Sequence, residues 1–213
     1  MRKTLFLAVA LFLSLTASAQ IVEQGETRDG LREGIWYEFD EGSNLIRKVV
    51  QYEKGLKNGL YLEVDEYGTL VKKCEYTADR LNGISYTWFR GGRLATKSSY
   101  KHGVLDGEQI SCYEHGGYCE LSNYKDGVRD GLTVWFDQTG YKVMSIEYKD
   151  GRFEGKQETY YKGNVLKSSK MYKNNVQDGP AIEYYEDGNL KSESTYSNGK
   201  VSGPVRRYDE KKQ

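Results

Sequence analysis

The chain has 213 residues, 31 Lys+Arg balanced by 31 Asp+Glu, 29% charged residues and 19 tyrosines. A balanced charge offers little to the phosphates of nucleic acid, and a chain this rich in aromatic residues is not a disordered one. With 38% hydrophobic residues and 24 glycines, it is expected to be ordered around a thin core.

The first element in chain order is a secretion signal. Arg2 and Lys3 precede an apolar run over residues 5–15, and Ala17, Ser18 and Ala19 supply a small-residue cleavage site. The run is too short for the roughly 20 residues of a membrane-spanning helix. Residues 1–19 therefore read as a signal peptide cut after Ala19, and the mature protein is expected in the periplasm or outside the cell. No cysteine follows directly for a lipid anchor, and no second apolar run suggests an integral membrane segment. Removing Arg2 and Lys3 leaves 29 Lys+Arg against 31 Asp+Glu, a mature charge of about −2.

Residues 20–29 read as a lead-in, and residues 30–213 as one repeat domain of about seven full units and a partial last one. Gly34, Gly59, Gly83, Gly107, Gly131, Gly155, Gly179 and Gly203 are separated by 25 and then six times by 24 residues. With each of these as position 0, a second glycine falls at +9 (Gly68, Gly92, Gly116, Gly140, Gly188; Gly42 and Gly163 one early). Tyrosine falls at +17 (Tyr76, Tyr100, Tyr124, Tyr148, Tyr172, Tyr196; Tyr52 one late), and glycine returns at +20 except at Asp79 and Asn175. Glycine at such stations supplies φ > 0. Asp or Asn precedes it at 29/30, 58/59, 82/83, 106/107, 126/127, 130/131, 150/151, 178/179 and 198/199, a pair that favours hairpin turns.

Each unit thus predicts two strands, about +1 to +6 and +10 to +17, joined by a three-residue loop over +7 to +9. That loop pairs +5 with +11, setting Phe39, Val64, Trp88 and Tyr160 opposite Leu45, Leu70, Leu94 and Leu166. Alternation then groups +1, +3, +5, +11 and +17 as the core face. The fold class is all-β: an elongated antiparallel meander of tandem hairpins of about 24 residues. Arg206, Arg207, Lys211 and Lys212 are placed to guard its last edge.

The opposite face carries aromatic residues that vary between units: Trp36 and Tyr61 at +2, Trp135 at +4, and Phe89, Tyr113, Tyr161 and Tyr185 at +6. These seven are the candidate interaction surface, set against the plainer reading that they complete the packing of a twisted sheet.

Tyr76, Gly83, Trp88, Gly92 and Leu94, repeated as Tyr124, Gly127, Gly131, Phe136 and Gly140, resemble the signature of the bacterial MORN-repeat variants, which include YwqK-type antitoxin components. The resemblance spans about residues 25 to 210. It implies a β-hairpin repeat scaffold with diverse partners and no catalytic residues. The upstream Y-x-G of the standard unit is missing, so the lipid association of standard MORN repeats carries over poorly.

The chemistry-bearing residues point the same way. His102 and His115 both lie beside turn glycines, no ligand spacing for zinc occurs, and neither a nucleophile elbow nor a phosphate-binding loop is found. No catalytic, metal or cofactor site is expected. Cys74, Cys112 and Cys119 read as small packing residues, since Cys112 and Cys119 are placed on opposite faces and Cys74 lies three strands, roughly 14 Å, from Cys112. Two functions remain: an exported scaffold for a protein partner, with YwqK-like toxin neutralisation its sharpest form, and an envelope or surface glycan binder using the exposed aromatics. Neither involves nucleic acid.

Overall fold

A computed structural model describes residues 21–40 and 42–210, and the predicted signal peptide lies outside the described residues. Among the described residues nineteen strands form one antiparallel sheet, in which successive rungs pair in sequence order. Three rungs are interrupted, at Arg80–Leu81 with Gly83–Trp88, at Val128–Arg129 with Gly131–Phe136 and at Lys200–Val201 with Arg206–Arg207, so the strands make sixteen rungs. At about 4.8 Å per step the ribbon is roughly 70 Å long. The lead-in residues Ile21–Arg28 form its first strand, paired with Leu31–Asp40.

Two kinds of turn alternate along it. The tight turns have two residues, both at positive φ, as at Asp126 (49°) and Gly127 (84°) between the paired Lys125 and Val128. Where glycine is missing, at Ala78 and Asp79 and at Asn174 and Asn175, the residues hold the same left-handed geometry. The side chains of Asp79 and Asn175 each accept a backbone amide two residues past the preceding tight turn, from Lys57 and Phe153, at 2.8 Å. From the second tight turn onward, the second residue also donates to a carbonyl one unit back, as Gly127 to Leu105 (2.8 Å) and Gly199 to Gln177 (2.9 Å). The tight turns are therefore stapled to one another along one edge of the ribbon.

The wide loops follow the predicted three-residue form. The +6 amide bonds the +10 carbonyl, as Asp137 to Tyr141 (2.8 Å) and Tyr185 to Asn189 (2.9 Å), and +5 pairs with +11 at Val64 and Leu70, Trp88 and Leu94, and Tyr184 and Leu190. The first unit departs from this, because its extra residue lies in the loop. Ile46, not Leu45, faces Phe39, and Asn44 (φ 53°) takes the left-handed place expected of Gly42.

One residue beyond that pair the register shifts: Val64 faces Leu70, but Glu63 faces Lys72. Every wide hairpin does the same, and this bulge corrects the predicted core face. One extra residue turns the return strand over, so the +17 tyrosines join +2, +4, +13 and +15 on an even-numbered face. The best-buried side chains are there: Thr133 (0% exposed), Cys74 and Ser122 (1%), with Tyr61, Ile146 and Ala181. At +1, Ile35, Ile84 and Leu132 are exposed. The deepest residues are small because a single sheet has no opposing layer. A side chain is covered only by larger neighbours on its own face, as Cys74 is beside Tyr61 and Tyr76, whose rings meet edge to face at 5.8 Å.

The Asp-Gly and Asn-Gly pairs divide in the same way. Those at 29/30, 126/127, 150/151 and 198/199 are tight turns. Those at 58/59, 82/83, 106/107, 130/131 and 178/179 are not turns; they lie along a rung, where residue Gln51, for example, faces the three residues 58–60. There the acid accepts the amide of the tight turn one hairpin on: Asp106 from Asp126 and Asp130 from Asp150 at 3.2 Å, Asp178 from Asn198 at 3.0 Å.

These bonds carry a pH dependence. The amides of Thr69 and Tyr67 hold the Asp65 carboxyl below its ordinary value, the Asp150 amide and Lys149 do so for Asp130, and the Thr139 hydroxyl and amide do so for Asp137. A carboxyl depressed in the folded state stabilises it above the ordinary carboxylate range and loses that contribution as pH falls through its own lower value. Thermal melts are expected to be level from pH 7 to about pH 5 and to drop steadily below about pH 4, with Asp137→Asn flattening the drop.

Candidate functional site

The structure sets the seven candidate aromatics into four kinds of place. Trp36 lies over Gly25, where a Cβ would fall within 2.6 Å of the indole Cδ1, and its Nε1 donates to the Glu26 carbonyl at 3.0 Å. Gly25, off the 24-residue spacing and without positive φ, is explained by this seat for the indole. The Arg32 guanidinium also stacks on the indole, 4.4 Å from the ring centroid. Tyr61 is in the core, 8% exposed, and its hydroxyl donates to Glu63 at 2.8 Å. Burial first, and then that bond to a carboxylate, push its ionisation far above the ordinary value.

At +6, tyrosine makes a staple between units. Tyr113 donates to the Phe136 carbonyl at 2.8 Å, Tyr161 to Tyr184 at 3.2 Å and Tyr185 to Tyr208 at 2.9 Å, each bond reaching 23 residues ahead. Phe89 holds the same station without a hydroxyl. Asp65 and Asp137 there turn inward to their own loops instead. Tyr161→Phe and Tyr185→Phe are each expected to cost about 1 kcal/mol, read as a lowered unfolding midpoint with circular dichroism unchanged at low temperature.

Trp135 belongs to a polar hub. Its Nε1 donates to Glu120 Oε2 at 2.8 Å; Glu120 Oε1 accepts from Arg129 at 2.6 Å; and Arg129 also donates to Thr133 Oγ1 at 3.1 Å. The Arg129 guanidinium lies 5.4 Å from the Tyr124 and Trp135 rings and 5.7 Å from Tyr148. The seven aromatics thus share the even face or its loops, but they do not converge on one place, and six of them have polar atoms already engaged within the chain.

The odd face is different. Ile35, Ile84 and Leu132 at +1 are joined by Leu31, Leu56, Val104, Val128 and Val176, each three residues before a repeat glycine and between 43% and 53% exposed. Nearest the first hairpin, Tyr37, Phe39, Ile46, Gln24 and Asn44 line a shallow cleft of about 310 Å³. The signal for this stripe was present in the sequence as Leu or Val at five of the −3 stations, with Arg80, Arg152 and Lys200 at the others, and Ile or Leu at four of the +1 stations, but the bulge had to be known before those positions could be called exposed.

The other chemistry-bearing residues do not gather. His102 opens a tight turn at φ 52°, and His115 stacks on Tyr113 with ring centroids 5.3 Å apart. Cys74 is buried and Cys112 and Cys119 are half-buried, all three as free thiols. Burial raises the Cys74 and Cys112 thiols above their ordinary value, which favours the protonated form. Among the described residues no group of three His, Cys, Asp or Glu could hold a metal ion, and no helix is long and apolar enough to cross a membrane.

Residues 153–174 and 177–198, two adjacent units, match the family described as MORN repeat variant. A comparison with curated proteins gave no match. The matched stretches run from the residue pairs that follow two tight turns to the next tight turns, so each covers one full hairpin with its repeat glycine, Gly155 or Gly179. The two matched units have the same hairpin form as the rest of the meander, and MORN repeats as a type are non-catalytic repeats associated with interaction.

Proposed function

We propose that this protein is an exported repeat scaffold that binds a protein partner along its odd face. The observation that supports this is the recurrence of exposed apolar residues from Leu31 through Leu132 to Val176, interrupted at Arg80 and Arg152, on a single-layer sheet that no other described residues cover. Isolated exposed apolar residues are ordinary; a row repeated at the period of the fold is a surface. Toxin neutralisation of the YwqK type is the sharpest form of this reading. With a signal peptide at its start, the chain would meet such a toxin in the envelope or outside the cell.

The test is affinity purification of the tagged protein from its own envelope and medium fractions, beside a variant carrying Ile84→Glu and Leu132→Glu. Both residues are exposed, so melting is expected to stay within about 0.5 kcal/mol of the parent, while a co-eluting protein is lost. A partner retained at full level by this variant, or retention on polysaccharide with no protein co-eluting, would replace the reading with the glycan one. In that case Trp135→Ala and Tyr161→Ala become the informative changes.

A further inference from the structure

Net charge alternates along the ribbon when it is summed hairpin by hairpin between the tight turns. Residues 80–101 hold five Lys+Arg and no Asp or Glu, a charge of +5, and residues 104–125 hold one Lys against four Asp+Glu, or −3. Residues 152–173 hold six Lys+Arg against two Glu, or +4, while residues 31–53 hold three Lys+Arg against five Asp+Glu, or −2. The two other central hairpins are near neutral: residues 56–77 sum to −1 (three against four) and residues 128–149 to 0 (three against three). Over the same stretch the odd face exposes Leu56, Ile84, Val104, Tyr118, Val128 and Leu132, each between 43% and 50%.

We propose that the odd face is covered by the odd face of a second copy, the two ribbons lying antiparallel about a two-fold axis at the His102–Gly103 turn. This rests on the odd face being a binding surface and names its occupant. Stacked sheets keep their strands nearly aligned, which leaves two directions for a two-fold axis that brings this face onto itself. An axis along the ribbon sets every hairpin on its own copy, so +5 meets +5 and +4 meets +4, and like charges repel. An axis parallel to the strands at the His102–Gly103 turn sets residues 80–101 on residues 104–125, or +5 on −3. It also sets residues 31–53 on residues 152–173, or −2 on +4, and the two near-neutral hairpins on each other. Charge thus selects one arrangement of the two. Residues 21–28 and 176–197, both acidic, fall together only at the far ends, where the twist of each sheet carries the surfaces apart.

The area is sufficient. The central rungs run from Leu56–Val64 to Lys142–Lys149. A strand of about eight residues is about 26 Å long and rungs lie about 4.8 Å apart, so about eight rungs offer roughly 1,000 Å² per copy. A stable interface uses about 800 Å² per partner. Such a dimer is closed, because the same patch is used by both copies and none of it is left for a third. It gives the single sheet the second layer against which an apolar sheet face is ordinarily buried.

The experiment is sedimentation velocity over a hundredfold concentration range on the full protein as purified, joined to carbodiimide cross-linking read by mass spectrometry. A monomer–dimer equilibrium that stops at the dimer is expected. The carbodiimide joins a carboxylate to a lysine at contact distance as an amide and takes up the water released. Within one chain the rungs of residues 31–53 and of residues 152–173 are at least about nine steps, or about 43 Å, apart. A link from Glu33 or Glu53 to Lys156 or Lys173 therefore forms only between antiparallel copies. In the variant carrying Ile84→Glu and Leu132→Glu these links are expected to vanish and the dissociation constant to rise roughly tenfold or more, through charges buried without partners. A monomer at every concentration would overturn the proposal; a different protein still co-eluting from the envelope fraction would then leave the binding role of the odd face standing. A dimer of the unaltered chain that yields none of these links would overturn it too, whether or not the variant folds, and so would a dimer that the folded variant keeps at full strength.

Discussion

Gly179→Ala is expected to destabilise the protein by about 4 kcal/mol, the sum of two separate effects. Gly179 has φ +116°, outside the range that residues with a Cβ adopt, and forcing one there costs roughly 1–3 kcal/mol. A Cβ at that position would also lie 2.9 Å from Met171 Cβ on the neighbouring rung, a contact with the stem of a side chain that no rotamer change relieves; such overpacking costs roughly a further 1–3 kcal/mol. The control is Gly203→Ala. Gly203 holds the same station at φ +90° but has no atom within 4 Å of its would-be Cβ, so only the backbone term applies, roughly 1–2 kcal/mol. Because units contact mainly their neighbours, the loss at Gly179 should open the last hairpins before the rest. Denaturant unfolding gives the size of the effect, and amide exchange along the chain gives its place. Equal losses at Gly179 and Gly203 would show that the packing against Met171 contributes nothing.

Arg129→Ala is expected to cost about 2–4 kcal/mol. The change removes a guanidinium that stacks among three rings, and it leaves Glu120, 21% exposed at its side chain, bonded only to Trp135. A half-covered carboxylate stripped of its cation loses more than the average surface pair provides. Arg129→Lys should recover less than half, since an ammonium cannot bond Glu120 and Thr133 from one plane while stacking. Arg32 offers the comparison. It occupies the same station two residues before a repeat glycine, near Trp36, Tyr52 and Glu23. The pair there is more open to water, so Arg32→Ala should cost about 1 kcal/mol. A double-mutant cycle with Glu120→Gln measures the Arg129 coupling; a coupling near zero would assign the loss to ring packing alone.

The hairpin plan was legible because turn chemistry is local. A left-handed residue followed by glycine makes a two-residue turn wherever it falls between strands, and +7 to +9 ending in glycine makes the wide loop. The pairing of +5 with +11 followed directly from loop length, and the one miss, Ile46 in place of Leu45, came from counting through an extra loop residue. What could not be read was the bulge beside each wide loop. It inserts a residue without changing the 24-residue spacing, so the sequence with or without it looks the same. The same blindness affected Asp106, Asp130 and Asp178, whose Asp-Gly pairs look like turns and instead lie within rungs.

The seven aromatics show the same limit at the level of a candidate site. Their variation from unit to unit was visible; their work was not. Tyr113, Tyr161 and Tyr185 reach carbonyls 23 residues on, and Trp135 bonds a carboxylate 15 residues back, contacts that exist only once successive rungs are stacked.

The sequence by itself therefore determined the period, the two turn types and the meander, since each depends on residues within a few positions of one another. The tertiary structure alone decided which face is covered and which is open. In a one-layer sheet, burial depends on what the neighbouring rungs place beside a residue, and a single bulge per hairpin exchanges the two faces without altering one letter of the repeat.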